Sequence, residues 1–137
     1  MGKSAQPVML KLPSDPRNIE VVESFVQKIG EKYRLSPDQF GNIRLSITEA
    51  VNNAIIHGNQ QDHTKSVQIE FKPLNGVIAI RVSDEGRGFD FNNVPDPTLP
   101  ENLCKCGGRG VFLMRRCADK ISFCNNGRTV EMHFKLW

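Results

Sequence analysis

Apolar residues recur at helical spacing through Phe40, Ile43, Ile47, Ala50, Val51 and Ala54, and this pattern predicts a helix with one buried face over residues 37–57. Its start is marked by Ser36 as N-cap, Pro37 at the first helical position and Gln39 in the place a capping box requires, and its stop by Gly58. Upstream, alternation over 8–12 predicts a short strand. Asp15-Pro16 then opens an amphipathic helix that buries Ile19, Val22, Phe25, Val26 and Ile29 and ends near Tyr33. Downstream, Val67, Ile69 and Phe71 alternate, Asn75-Gly76 signals a turn, and Ile78, Ile80 and Val82 alternate again, which is a hairpin. A short helix over 110–118 leads to a second hairpin around Asn125-Asn126-Gly127, whose last strand alternates Val130, Met132, Phe134 and Leu136. The expected fold is a sheet with helices on one side.

Polar chemistry interrupts this pattern in three places. On a helix of about 3.6 residues per turn, Glu49, Asn53 and His57 are successive i, i+4 neighbours, so carboxylate, amide and imidazole line one edge. Such an edge is either a site or a solvated helix face. Ser46 extends it upstream and reads as ordinary helix surface. The strand at 78–82 runs into Asp84-x-Gly86-x-Gly88, where glycines that tolerate positive φ and lack a Cβ leave room for a flat ligand beside Asp84. The Asp84 carboxylate then suits an exocyclic amine, as on adenine; the same residues also suit a simple β-turn in which Asp84 bonds its own loop. The third place is the run from Lys105 into Gly107, Gly108 and Gly110, ahead of an apolar helical stretch. Free amides at a helix start, with Lys105 and Arg109 beside them, suit phosphate oxygens. Neither the P-loop pattern nor the Rossmann fingerprint is present.

These three segments, in this order, resemble the GHKL superfamily of ATPases and kinases, the Bergerat fold shared by gyrase, histidine kinases and mismatch-repair ATPases. Glu49-x-x-x-Asn53 is similar to that superfamily's N box, Asp84-x-Gly86-x-Gly88 to its first glycine box and Gly108-x-Gly110 to its second. Within the superfamily the chain most resembles bacterial anti-sigma factor serine kinases, through the run ending at His57-Gly58 and the run from Gly107 to Arg115. The resemblance covers nearly the whole chain, from about Pro7 to Trp137. It implies an α+β fold, a two-layer α/β sandwich of the Bergerat type with a mixed, mostly antiparallel sheet and helices on one face. The proline-bearing stretch at about 90–107, which holds Pro95, Pro97 and Pro100, corresponds to the family's ATP lid.

Length and composition set the remaining bounds. With 137 residues the chain is expected to form one domain over 1–137. A net charge of +3, with both signs dispersed, gives no case for nucleic acid, and no helix-turn-helix, zinc-finger or RNA-recognition motif is present. No apolar run reaches membrane-spanning length and the start lacks a signal peptide's apolar segment, so a cytoplasmic protein is expected. Met1-Gly2 suggests myristoylation, but Gln6 stands where Ser or Thr is wanted. Cys104, Cys106, Cys117 and Cys124 match no zinc spacing and read as free thiols, with a redox or metal role for Cys104-x-Cys106 as the alternative.

What the resemblance implies about mechanism follows residue by residue. Asn53 is expected to offer an oxygen to Mg²⁺, Glu49 to act as general base, Asp84 to recognise adenine, and the amides of Gly108 and Gly110 to hold ATP phosphates. Lys105 or Arg109 would stabilise charge on the γ-phosphate; His57 would contact phosphate or lid, or simply close the helix. No phosphoacceptor-histidine segment is expected before Pro7, so the substrate is expected in trans. The family pattern implies a sigma factor and a serine or threonine on an anti-anti-sigma (STAS-type) protein as partners, and a homodimer. Two alternatives are a module that sequesters a partner without phosphorylating it, and the catalytic domain of a longer histidine kinase.

Overall fold

The computed structural model describes residues 7–86 and 108–136. The chain opens with β1 (Val8–Pro13), passes through a 3-10 turn at Pro16–Asn18 and enters α1 (Ile19–Lys32). Asp15 caps that turn by accepting the Arg17 N–H at 2.9 Å. Next comes α2 (Pro37–Asn52), which continues as a π-turn over Asn53–Gly58. The predicted capping box is present in both halves: Ser36 Oγ accepts the Gln39 N–H at 3.1 Å, and Gln39 Oε1 accepts the Ser36 N–H at 2.9 Å. Gln39 also donates through Nε2 to the carbonyl of Leu136 at 2.9 Å, fastening the start of α2 to the far end of the chain.

The hairpin of β2 (Ser66–Leu74) and β3 (Val77–Ser83) follows, with Gly76 at φ 74° in its two-residue turn. Then come α3 (Gly108–Cys117), β4 (Lys120–Cys124) and β5 (Thr129–Lys135). The α3 helix starts two residues earlier than the sequence pattern suggests. The sheet order is β1-β2-β3-β5-β4, and every pairing is antiparallel. Register explains the core. Leu10, Ile69, Val82, Val130 and Phe123 stand opposite one another in one row, and Phe71, Ile80, Met132 and Ile121 in another. These rows meet Val22, Val26 and Ile29 of α1, Ile43, Ile47 and Val51 of α2, and Val111 and Met114 of α3. Of the alternate positions, Lys11, Gln68, Lys72 and Arg81 are exposed, as expected of an antiparallel sheet covered on one face, while Ala79 and Thr129 are buried.

Candidate functional site

Glu49 and Asn53 are half-buried, one turn apart at the end of α2. His57 does not continue their row. The π-turn begins at Asn53, and its wider i, i+5 bonding rotates the following side chains away from the α-helical direction, leaving His57 exposed. A strictly α-helical reading of residues 37–57 therefore holds as far as Asn53 and fails beyond it. Ser46 differs as well. Expected at the surface, it is fully buried, and its hydroxyl has no hydrogen-bond partner among the described residues. The reason is that α2 packs between α1 and α3 as well as against the sheet, so its buried arc is wider than the apolar residues alone indicate.

At the end of the π-turn the helix meets the loop after β3. A Cβ on Gly58 would collide with the Asp84 carboxylate, and a Cβ on Gly86 would collide with the Gly58 carbonyl. Neither glycine has positive φ, so both are required by close approach and not by backbone conformation. The space freed at Gly86 is thus taken by Gly58, not left for a ligand as the sequence suggested. The Asp84 carboxylate itself is half-buried. Its Oδ1 accepts the Gly86 N–H at 2.8 Å, the bond of the simple-turn reading, while Oδ2 accepts no hydrogen bond among the described residues. Burial pushes the Asp84 carboxyl above the ordinary carboxylate range, against the Gly86 N–H and the positive charges of Arg128 and Lys65, which pull it down. The Asp84 N–H donates to the Arg128 carbonyl at 2.9 Å. One residue before it, Ser83 Oγ accepts the hydroxyl of buried Thr129 at 3.0 Å, tying the end of β3 to β5.

The geometry therefore joins two of the three predicted segments, and residues 12–134 match the histidine kinase-like ATPase domain. The chain belongs to that family. Over 96% of its length it is 24% identical to the serine-protein kinase RsbW of Bacillus subtilis and 27% identical to that of Bacillus licheniformis, covering 87% of each relative. In three dimensions it is similar to the crystal structure of the RsbU and RsbW domains of a Mycobacterium tuberculosis protein, with a TM-score of 0.66 over 96% of this chain. It spans 32% of that longer chain at 14% identity, a likeness of fold alone.

The third segment is placed only in part. Gly88, Lys105, the lid at about 90–107, Cys104 and Cys106 lie outside the described residues. Gly108, Arg109 and Gly110 form the first turn of α3, whose opening N–H groups have no intrahelical partner. Among the described residues Cys117 and Cys124 are free thiols, and no group of three or more His, Cys, Asp or Glu converges on a point. No described helix is long and apolar enough to cross a membrane. Sequence reasoning missed Gly58 and Asn59, which form the junction. A glycine after an apolar helix reads as a stop, and an asparagine after it reads as a turn residue; neither type reveals what it touches.

Proposed function

We propose that this chain binds ATP with Mg²⁺ and acts as a protein serine/threonine kinase that phosphorylates an anti-anti-sigma protein of the STAS type and restrains a sigma factor. The observation that carries this reading is the contact of Gly58 with Asp84 and of Gly86 with Gly58, which sets the helix of Glu49 and Asn53 against the carboxylate loop. The similarity to serine-protein kinases over most of the chain supports the same chemistry.

In this reading Asp84 accepts the exocyclic amine of adenine through Oδ2, the oxygen that accepts no hydrogen bond among the described residues. The free amides opening α3, from Gly108 to Gly110, hold phosphate oxygens, with Lys105 or Arg109 as the cation on the γ-phosphate. A lone neutral oxygen from Asn53, with no acidic cluster around it among the described residues, fits Mg²⁺, which keeps several waters and takes its other ligands from phosphate. Bound there, the ion offsets charge on the phosphates. Glu49 takes the proton of the acceptor hydroxyl as that oxygen bonds to the γ-phosphorus; the bond from this phosphorus to the β–γ bridging oxygen breaks, and ADP leaves. His57, exposed beyond the π-turn, stands at the rim. The protein works in the bacterial cytoplasm as a homodimer, without direct contact to nucleic acid or membrane.

Incubation with γ-labelled ATP and a panel of STAS-type proteins tests this. The expected product is acid-stable and alkali-labile phosphoserine or phosphothreonine on the added protein, with little label on the chain itself. An acid-labile product would revive the histidine-kinase alternative, and tight partner binding without transfer would leave a sequestering module.

A further inference from the structure

Asn59 lies just past the π-turn and is 1% exposed, yet every polar group of its side chain is satisfied. Nδ2 donates to Ser14 Oγ at 2.6 Å and to the Ser66 carbonyl at 3.0 Å, and Oδ1 accepts the Glu85 N–H at 2.8 Å. The backbone N–H of Asn59 closes the π-turn on the Ala54 carbonyl at 2.8 Å. One residue thus links the end of the site helix, the chain just after β1, the start of β2 and the peptide between Asp84 and Gly86. The segment that follows is strained. Gln60 and Gln61 have φ of 52° and 57°, a left-handed pair that side-chain-bearing residues adopt only where their surroundings hold them. The buried Asn59 network directly precedes this pair, and the Gln61 N–H donates to the Ile55 carbonyl at 2.8 Å. Its bond to Glu85 falls between the two places where the loop touches Gly58, so residues 84–86 are gripped at three successive points.

We infer that Asn59 is a positioning residue: by holding the Glu85 N–H it sets the Asp84 carboxylate at a fixed place relative to the helix that carries Glu49 and Asn53. The inference rests on the proposed reading that Asp84 recognises adenine. Asn59 keeps the base end and the phosphate end of the nucleotide site in register without touching either. Ser14, itself fully buried, steadies Asn59 from the opposite side.

A double-mutant cycle on ATP affinity, measured by calorimetry on variants that melt cooperatively, tests this. Asn59→Ala should weaken ATP roughly tenfold, and the milder Ser14→Ala, which leaves the Glu85 bond in place, about two- to threefold. In an Asp84→Asn background both losses should shrink to within about twofold, because there is no longer a carboxylate to position. A structural role would lower affinity by the same factor in either background, and that additivity, or full affinity in a folded Asn59→Ala protein, would overturn the inference. Unchanged ATP affinity in Asp84→Asn alone would instead overturn the adenine reading, and the inference with it. If Asn59→Ala does not fold, the Ser14→Ala arm decides by the same criterion.

Discussion

Replacing Gly58 with alanine sets two physical effects against each other. In an ordinary helical position without positive φ, Gly→Ala stabilises by about 0.5–1 kcal/mol through the unfolded chain's lost freedom. At Gly58 the new Cβ would overlap the Asp84 carboxylate, and something must move. Overpacking of this kind costs about 1–3 kcal/mol, near the lower end here because a side chain, not backbone, stands in the way. The net expectation is a loss of at most about 1 kcal/mol, or up to roughly 4 °C in melting temperature for a domain of this size. Nucleotide affinity should fall further than stability. A carboxylate pushed off its place loses a charge-assisted hydrogen bond of about 1.5–3 kcal/mol, so ADP should bind roughly tenfold or more weakly. Gly86→Ala is the harsher control, since its Cβ would meet the Gly58 backbone, which cannot swing aside. Thermal melts with and without ADP, followed by calorimetry, read both quantities. A Gly58→Ala protein that melts at or above the wild-type temperature and binds ADP normally would refute the contact.

Asp84→Asn should weaken ATP while raising the melting temperature near neutral pH. Burial raises the folded-state value of Asp84 above its ordinary 3.8, so the ionised form costs stability above that raised value, and the cost disappears below 3.8, where both states are protonated. The advantage of the Asp84→Asn variant over wild type should therefore shrink as pH falls through this window, and a gain independent of pH would contradict it. Glu49→Ala should bind Mg-ATP yet lose transfer by roughly 10²- to 10⁴-fold, whereas Asn53→Ala should lose the magnesium dependence of nucleotide binding. Transfer at the normal rate in Glu49→Ala would place the base elsewhere. Ser46→Ala removes a buried hydroxyl that has no partner among the described residues and should stabilise by about 1 kcal/mol, read as a raised urea midpoint; a lowered midpoint would mean the hydroxyl fills space the core needs.

The elements were legible where one local rule governed them. Ser36, Pro37 and Gln39 announced the start of α2 because capping depends on neighbours within a single turn. Alternation at Val67, Ile69 and Phe71, and at Val130, Met132 and Phe134, gave the strands and their inward face because only one face of the sheet is covered. The order in which strands pair was not legible, since it depends on contacts far apart in sequence. The π-turn was hidden for a related reason: one residue of extra winding leaves no compositional mark, and the spacing of Glu49, Asn53 and His57 is the same in the sequence whether or not it occurs. Ser46 is polar and so suits the surface by type, but α2 is enclosed by α1, α3 and the sheet, and the side chain is buried. Asp84 suits both a turn and a ligand by its sequence, and among the described residues one oxygen is spent on the turn while the other accepts nothing.

The order β1-β2-β3-β5-β4 has a consequence for synthesis on the ribosome. β5 emerges after the other four described strands, yet it occupies an interior place, between β3 and β4. Until it arrives, β3 presents an unpaired edge whose core-facing residues Ile78, Ile80 and Val82 have no neighbour on that side, a surface open to pairing with another nascent chain. The Asp84 loop waits as well, because its N–H is received by Arg128, and so does α2, whose cap reaches Leu136. A chain stalled before β5 thus lacks the last supports of its carboxylate loop, and the arrival of that strand closes the edge through which such chains would aggregate.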